Sequence, residues 1–202
     1  AVLFRGILTF CFFAVDAYVA LTLVEWRGQT LTQAGISLTA ATLAWTSGSW
    51  IQARFAWRWG PDRFVRAGLA VVALGLAAFI IVLDRDVSEW LAIPTFGLAG
   101  LGMGLAYAPL TLIVLREAPT SEQGAATAAL SLTDSLGTAL GTGVTGAIVA
   151  ASIRGSGAPV GGLATAFGLA VGVALIGLVL SRRLSSAAVR VQSVSGVVAP
   201  GS

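Results

Sequence analysis

Long apolar runs separated by short polar gaps set the pattern of this chain. Six segments, about 6–24, 34–53, 65–83, 90–115, 123–152 and 159–181, read as helices long enough to span a membrane. Such a helix needs roughly 20 mostly apolar residues to cross about 30 Å of hydrocarbon. The gaps are "EWRGQTLTQ", "ARFAWRWGPDRF", "DRDVSE", "REAPTSEQ" and "RGSGAP". The pattern predicts an all-α integral membrane protein, a six-helix transmembrane bundle over residues 1–181. The closing stretch "RRLSSAAVRVQSVSGVVAPGS" (182–202) is rich in Ser, Gly and charge, the composition of a solvated, disordered tail.

Composition sharpens this picture. The chain is 56% hydrophobic and 10% charged, with a mean hydropathy of +0.89, where soluble domains carry about 25% charged residues. The net charge of +3 does not signal nucleic acid, because the arginines sit in gaps between apolar runs and form no soluble basic face. There is no His and Cys11 is the single cysteine. Ser–His hydrolysis, His-ligated metal chemistry and disulfide bonding within the chain are thereby excluded, and no cofactor or metal is expected. An apolar segment directly after Ala1, with no signal-peptide pattern, is expected of a piece of a longer protein.

Charge in the gaps orients the bundle. With the chain start in the cytoplasm, nine arginines lie inside (Arg5, Arg54, Arg58, Arg63, Arg66, Arg116, Arg182, Arg183 and Arg190) against three outside (Arg27, Arg85 and Arg154). That is a positive-inside distribution, with both ends of the chain cytoplasmic in a plasma membrane. The stretch "GSWIQARFAWRWGPDRF" (48–64) then faces the cytoplasm, with its aromatic rings at headgroup level.

A displacement of 89 residues lays 17–48 over 106–137 without a gap, with ten identities in 32 positions. The shared residues include Tyr18 with Tyr107, Arg27 with Arg116, Gly35 with Gly124 and Gly48 with Gly137. The units begin three spans apart, so the second copy is inverted in the membrane. Inverted three-helix repeats nested within six helices are the build of one large class of secondary transporters.

On this layout, the Gly-rich fourth span "GLAGLGMGLAYAP" and the Arg-rich gap after the second span, residues 1–181 resemble the carboxy-terminal six-helix half of a major facilitator superfamily transporter. They look most like a bacterial multidrug/proton antiporter. The gap is similar to the second copy of the family's Gly-x-x-x-Asp-Arg-x-Gly-Arg loop. Gly48 matches the first Gly, Gly60 the second, and Gln52 stands where the family has Asp, with about five extra residues between the glycines. The resemblance implies a missing amino-terminal half, a small-molecule substrate, protons as coupling ions, and a gating or anchoring role for Gly48, Gln52, Arg54, Arg58, Gly60 and Arg63. An alternative substrate class is a metabolite such as a sugar or organic acid.

Two carboxylates interrupt apolar spans: Asp16 in "CFFAVDAYVALTL" and Asp134 in "SLTDSLGTALG". A charged Asp at a helix centre costs roughly 2.5–3.5 kcal/mol on insertion scales, so each is a candidate for proton or substrate work. Counting from Arg5 and Glu122 at about 1.5 Å per residue puts both near the midplane. Facing each other at about 3 Å they would instead suit an intramembrane aspartyl protease. Thr127, Ser131, Asp134 and Thr138 share one helix face, and Thr39, Thr42, Thr46 and Ser49 form a similar stripe. These hydroxyls either face a cavity or bond to their own helix carbonyls. Tyr18, Trp45, Met103 and Tyr107, with Phe12 and Phe13, are candidate walls for an apolar substrate. If the Arg-rich stretch gates, Arg54→Ala with Arg58→Ala slows transport in vesicles at normal topology. If it only anchors, topology mapping shows lost or inverted insertion.

Overall fold

The computed structural model describes residues 1–181, so the expectation of a disordered tail lies outside the described residues. Six long helices account for most of these residues: α1 (Val2–Ala20), α2 (Leu31–Trp59), α3 (Pro61–Ile80), α4 (Ala92–Glu117), α5 (Gln123–Ser156) and α6 (Val160–Ser181). Five are long and apolar enough to cross a membrane, four of them together with adjoining turns. The exception is α2, expected from sequence as a sixth apolar span. Its Thr and Ser stripe, two glutamines and two arginines lower its hydropathy, although at 29 residues it has the length.

Helix ends follow local chemistry. Thr30 caps α2 in a capping box, its hydroxyl accepting from the Gln33 amide N–H while the Gln33 side chain accepts from the Thr30 N–H. No breaker occurs between Leu31 and Trp59, so α2 runs through most of the stretch expected to be a loop. The loop reduces to Gly60, whose φ of 72° only glycine adopts without strain, and Pro61 starts α3. Gly48 is therefore a mid-helix packing residue, and Arg54 and Arg58 sit on helix. At the far end of α1 the chain changes to a six-residue π-helix, Leu21–Trp26. Arg27 then donates to the carbonyls of Asp84 and Val87, Trp26 Nε1 donates to the Leu83 carbonyl at 2.8 Å, and Arg85 stacks over the Trp26 ring at 4.1 Å. Reciprocal arginines thus clip the α1–α2 turn to the α3–α4 turn.

Packing repeats the internal duplication. α2 of the first unit lies against α4 of the second, and α5 of the second lies against α1 of the first, the corresponding pair. The central helices α1, α3 and α4 are about half buried, whereas the α5 span is only 22% buried. Its open face, and that of α2, are therefore the least covered in the bundle.

Glycine makes the α2–α4 approach possible. A Cβ at Gly104 would sit 2.1 Å from the Trp45 carbonyl oxygen, one at Gly100 2.2 Å from the Ala41 oxygen, and one at Gly48 2.4 Å from the Leu101 oxygen. Gly137 and Gly141 do the same for α5 against α1, at Thr9, Gly6 and Phe10. Gly104→Leu is expected to lower the thermal unfolding midpoint sharply, since forced overpacking costs about 1–3 kcal/mol or more. Gly143→Ala, with nothing within 4 Å of the added carbon, is expected to be neutral or to stabilise by up to about 1 kcal/mol. Thermal melts of the two purified variants separate close packing from simple helix propensity.

Candidate functional site

Arg5 lies in the first turns of α1, yet only 4% of it is exposed. Its guanidinium is enclosed by acceptors from two other helices. Nε donates to Asp134 Oδ1 at 2.6 Å and Nη2 to Oδ2 at 2.9 Å, a two-point clasp. Nη1 donates to the Tyr107 carbonyl at 2.7 Å and to Thr111 Oγ1 at 2.9 Å. The guanidinium carbon also lies 3.1 Å from the centroid of the Tyr107 ring. Tyr107 closes the circle by donating its hydroxyl to Asp134 Oδ2 at 2.8 Å. Three helices, α1, α4 and α5, are pinned at one point by a neutral charge pair.

By charge distribution alone Arg5 counts among the cytoplasmic charges. The structure puts it inside the bundle, and a charged residue counted within an apolar window is the signal that could have found it. Asp134 is less enclosed, with 23% of its side chain exposed. Its open side borders a cavity of about 420 Å³ lined by Thr9, Phe13, Trp45, Tyr107, Asp134, Ser135, Thr138 and Ala139. Aromatic contacts run from this wall into the core: Tyr107 to Trp45 (5.5 Å), Trp45 to Phe12 (5.6 Å), Phe12 to Phe96 (5.4 Å) and Phe96 to Phe79 (5.6 Å).

The structure thus gathers Asp134, Tyr107, Trp45 and Thr138 around one space. Ser131 is exposed one turn from Asp134, and Thr127 lies nearer the start of α5 with its hydroxyl on the Gln123 carbonyl at 2.9 Å. Met103 is fully buried in the core and does not line the cavity. Tyr18 donates to the Thr142 carbonyl at 3.1 Å and packs on Gly146. On α2, Thr39, Thr42 and Thr46 each donate to the carbonyl four residues back, the self-bonded arrangement.

Asp16 stands apart. Gly137 packs against Gly6 and Thr9, and Gly141 against Phe10 and Ala14, so Asp134 is level with the Arg5 end of α1. Asp16 is then roughly 15–18 Å farther along the axis at about 1.5 Å per residue. The expectation of equal depth fails because α5 begins well before the level of Val2. A shared-proton aspartyl pair, which needs about 3 Å, does not form. Asp16 is half-buried, with no side-chain hydrogen bond among the described residues.

A charge-balanced ion pair thus lies beside an aromatic-walled cavity in the helical bundle. Residues 1–142 match the Major Facilitator Superfamily. The chain belongs to that family, whose members are membrane transporters and not enzymes. It is similar to multidrug resistance protein Stp from two strains of Mycobacterium tuberculosis, at 28% identity over 151 residues. That similarity covers 72% of this chain and 28% of the relative, so the chain spans well under half the length of the curated proteins it matches.

The clasp predicts strong coupling between its members. Arg5→Ala leaves Asp134 without its counter-charge and is expected to destabilise by about 3 kcal/mol, the usual cost of halving a buried pair. Arg5→Met with Asp134→Leu is expected to recover much of that loss. A double-mutant cycle on unfolding of the purified protein checks the sign.

Proposed function

We propose that this chain is the carboxy-terminal half of a proton-coupled transporter that exports small amphiphilic, drug-like molecules. It rocks against a second six-helix half across the open faces of α2 and α5. The observation that carries the reading is Asp134, held by Arg5 and Tyr107 on one side and open to an aromatic-walled cavity on the other. The name of the similar mycobacterial protein supports the drug-like substrate class. The excess of arginine at the Arg54 to Arg66 end supports a plasma-membrane orientation with both chain ends cytoplasmic.

The clasp supports a reading in which Asp134 exchanges a proton. Ionised Asp134 satisfies two guanidinium donors and the Tyr107 hydroxyl. When a proton adds to a carboxylate oxygen, the carboxyl becomes neutral and its hold on Arg5 weakens. Arg5 then keeps only the Tyr107 carbonyl and Thr111 hydroxyl as strong acceptors, and its buried charge is uncompensated. The conformation that restores a counter-charge or admits water is favoured, which couples protonation to the shape of the site. Asp16, half-buried about three turns away and without a side-chain hydrogen bond among the described residues, is a second candidate on the same path.

In the full-length protein, Asp134→Asn is expected to abolish proton-driven export while substrate exchange without a gradient continues. Asp16→Asn is expected to give a smaller loss. Transport into inverted vesicles, with and without an imposed pH gradient, measures both. Undiminished gradient-driven transport in both variants overturns proton coupling at these carboxylates.

A further inference from the structure

We propose that the cleft between the ends of α2 and α4 is a binding site for the phosphate headgroup of an anionic phospholipid. The cleft has a volume of about 320 Å³ and is lined by Gln52, Ala53, Ala56 and Trp57 of α2, Pro61 of α3, and Leu112 and Arg116 of α4. Gln52 is the unusual member. It is 96% buried, being 4% exposed, and its amide makes no hydrogen bond among the described residues. Burying a primary amide without partners is costly, so a buried Gln lining a cleft marks a place for a polar ligand.

The partners available define that ligand. Arg116 contributes a guanidinium that has no ion pair among the described residues. The Gln52 amide contributes two N–H donors. Pro61 opens α3, so the positive end of that helix borders the cleft. Arg54, Arg58, Arg63 and Arg66 carry the same end of the bundle, against the carboxylates of Asp62, Glu117 and Glu122. A carboxylate at position 52 would repel an anion, whereas the amide donates to it. Donors converging with excess positive charge fit a phosphate.

Position selects a lipid over a soluble ion. The 29 residues of α2 extend roughly 44 Å at 1.5 Å per residue, against about 30 Å of hydrocarbon. The last turns of α2 therefore emerge at headgroup level. There Trp57 is 82% exposed and Trp50 67%, with Phe55 and Trp59 also outward. Indole and phenyl rings at that depth take up the glycerol and upper acyl region, leaving the phosphate beside Arg116 and Gln52.

Native mass spectrometry of the intact transporter in mild detergent, titrated with phosphatidylglycerol or phosphatidylcholine of matched chains, tests the assignment. One phosphatidylglycerol is expected to be retained in preference to phosphatidylcholine. Arg116→Ala and Gln52→Leu are each expected to weaken that binding about tenfold, the scale of one charge-assisted or buried hydrogen bond. Arg116→Lys should keep most of the affinity, and Arg154→Ala, at the opposite end of the bundle, all of it. Gln52→Leu removes an unsatisfied buried group, so it is expected to fold at least as well as the parent. Equal retention of the two lipids overturns the proposal. So does wild-type affinity in Gln52→Leu, which reduces the effect to surface charge. Displacement of the lipid by millimolar inorganic phosphate overturns the lipid assignment in favour of a soluble anion.

Discussion

A guanidinium withdrawn from water inside a helix bundle must find its acceptors there or destabilise the fold. Arg5 finds them on two neighbouring helices: both carboxylate oxygens of Asp134 on α5, and a carbonyl and a hydroxyl on α4. That requirement brings α1, α4 and α5 to one point. It also leaves the site electrically neutral and mechanically sensitive, because neutralising Asp134 removes the strongest of the contacts. Stability and the candidate site therefore share one interaction.

The second constraint is how close the helices come. Backbone-to-backbone contact at Gly48, Gly100 and Gly104 on one side, and at Gly137 and Gly141 on the other, leaves no room for a Cβ. In a membrane, where burying apolar surface against another helix gains little over lipid, such close packing and interhelical hydrogen bonds carry association. The two glycine seams belong to corresponding helix pairs of the two units, so the duplication is a packing device as well as a sequence pattern. Both seams leave the opposite faces of α2 and α5 open, and the cavity beside Asp134 opens among these faces.

The far end of the bundle is built differently. Arg27 and Arg85 spend their donors on carbonyls of the opposite turn, clipping the π-helical end of α1 to the start of α4. The Arg54 to Arg66 end carries arginines with no such partners among the described residues, alongside exposed tryptophans. One end is thus tied within the protein, and the other presents its charge outward. The same residue type holds structure in one place and is left exposed in the other, according to whether backbone acceptors lie within reach.

Much of the architecture was legible in the chain itself. Apolar length and charge spacing are one-dimensional quantities, so helix number, the inverted repeat and the membrane class followed from the sequence, as did Asp134, Tyr107 and Trp45 as candidates. The end of α2 was not legible, because a run of arginines and aromatics reads as loop by polarity although nothing in it breaks a helix before Gly60. Nor was the role of Arg5, whose partners lie 102 to 129 residues away. The separation of Asp16 from Asp134 depended on the offset between α1 and α5, which glycine contacts set and helix counting cannot. The sequence by itself determined which segments cross and which residues carry charge. Only the tertiary structure decided which charge meets which, because that depends on the register of packed helices, a property no single segment possesses.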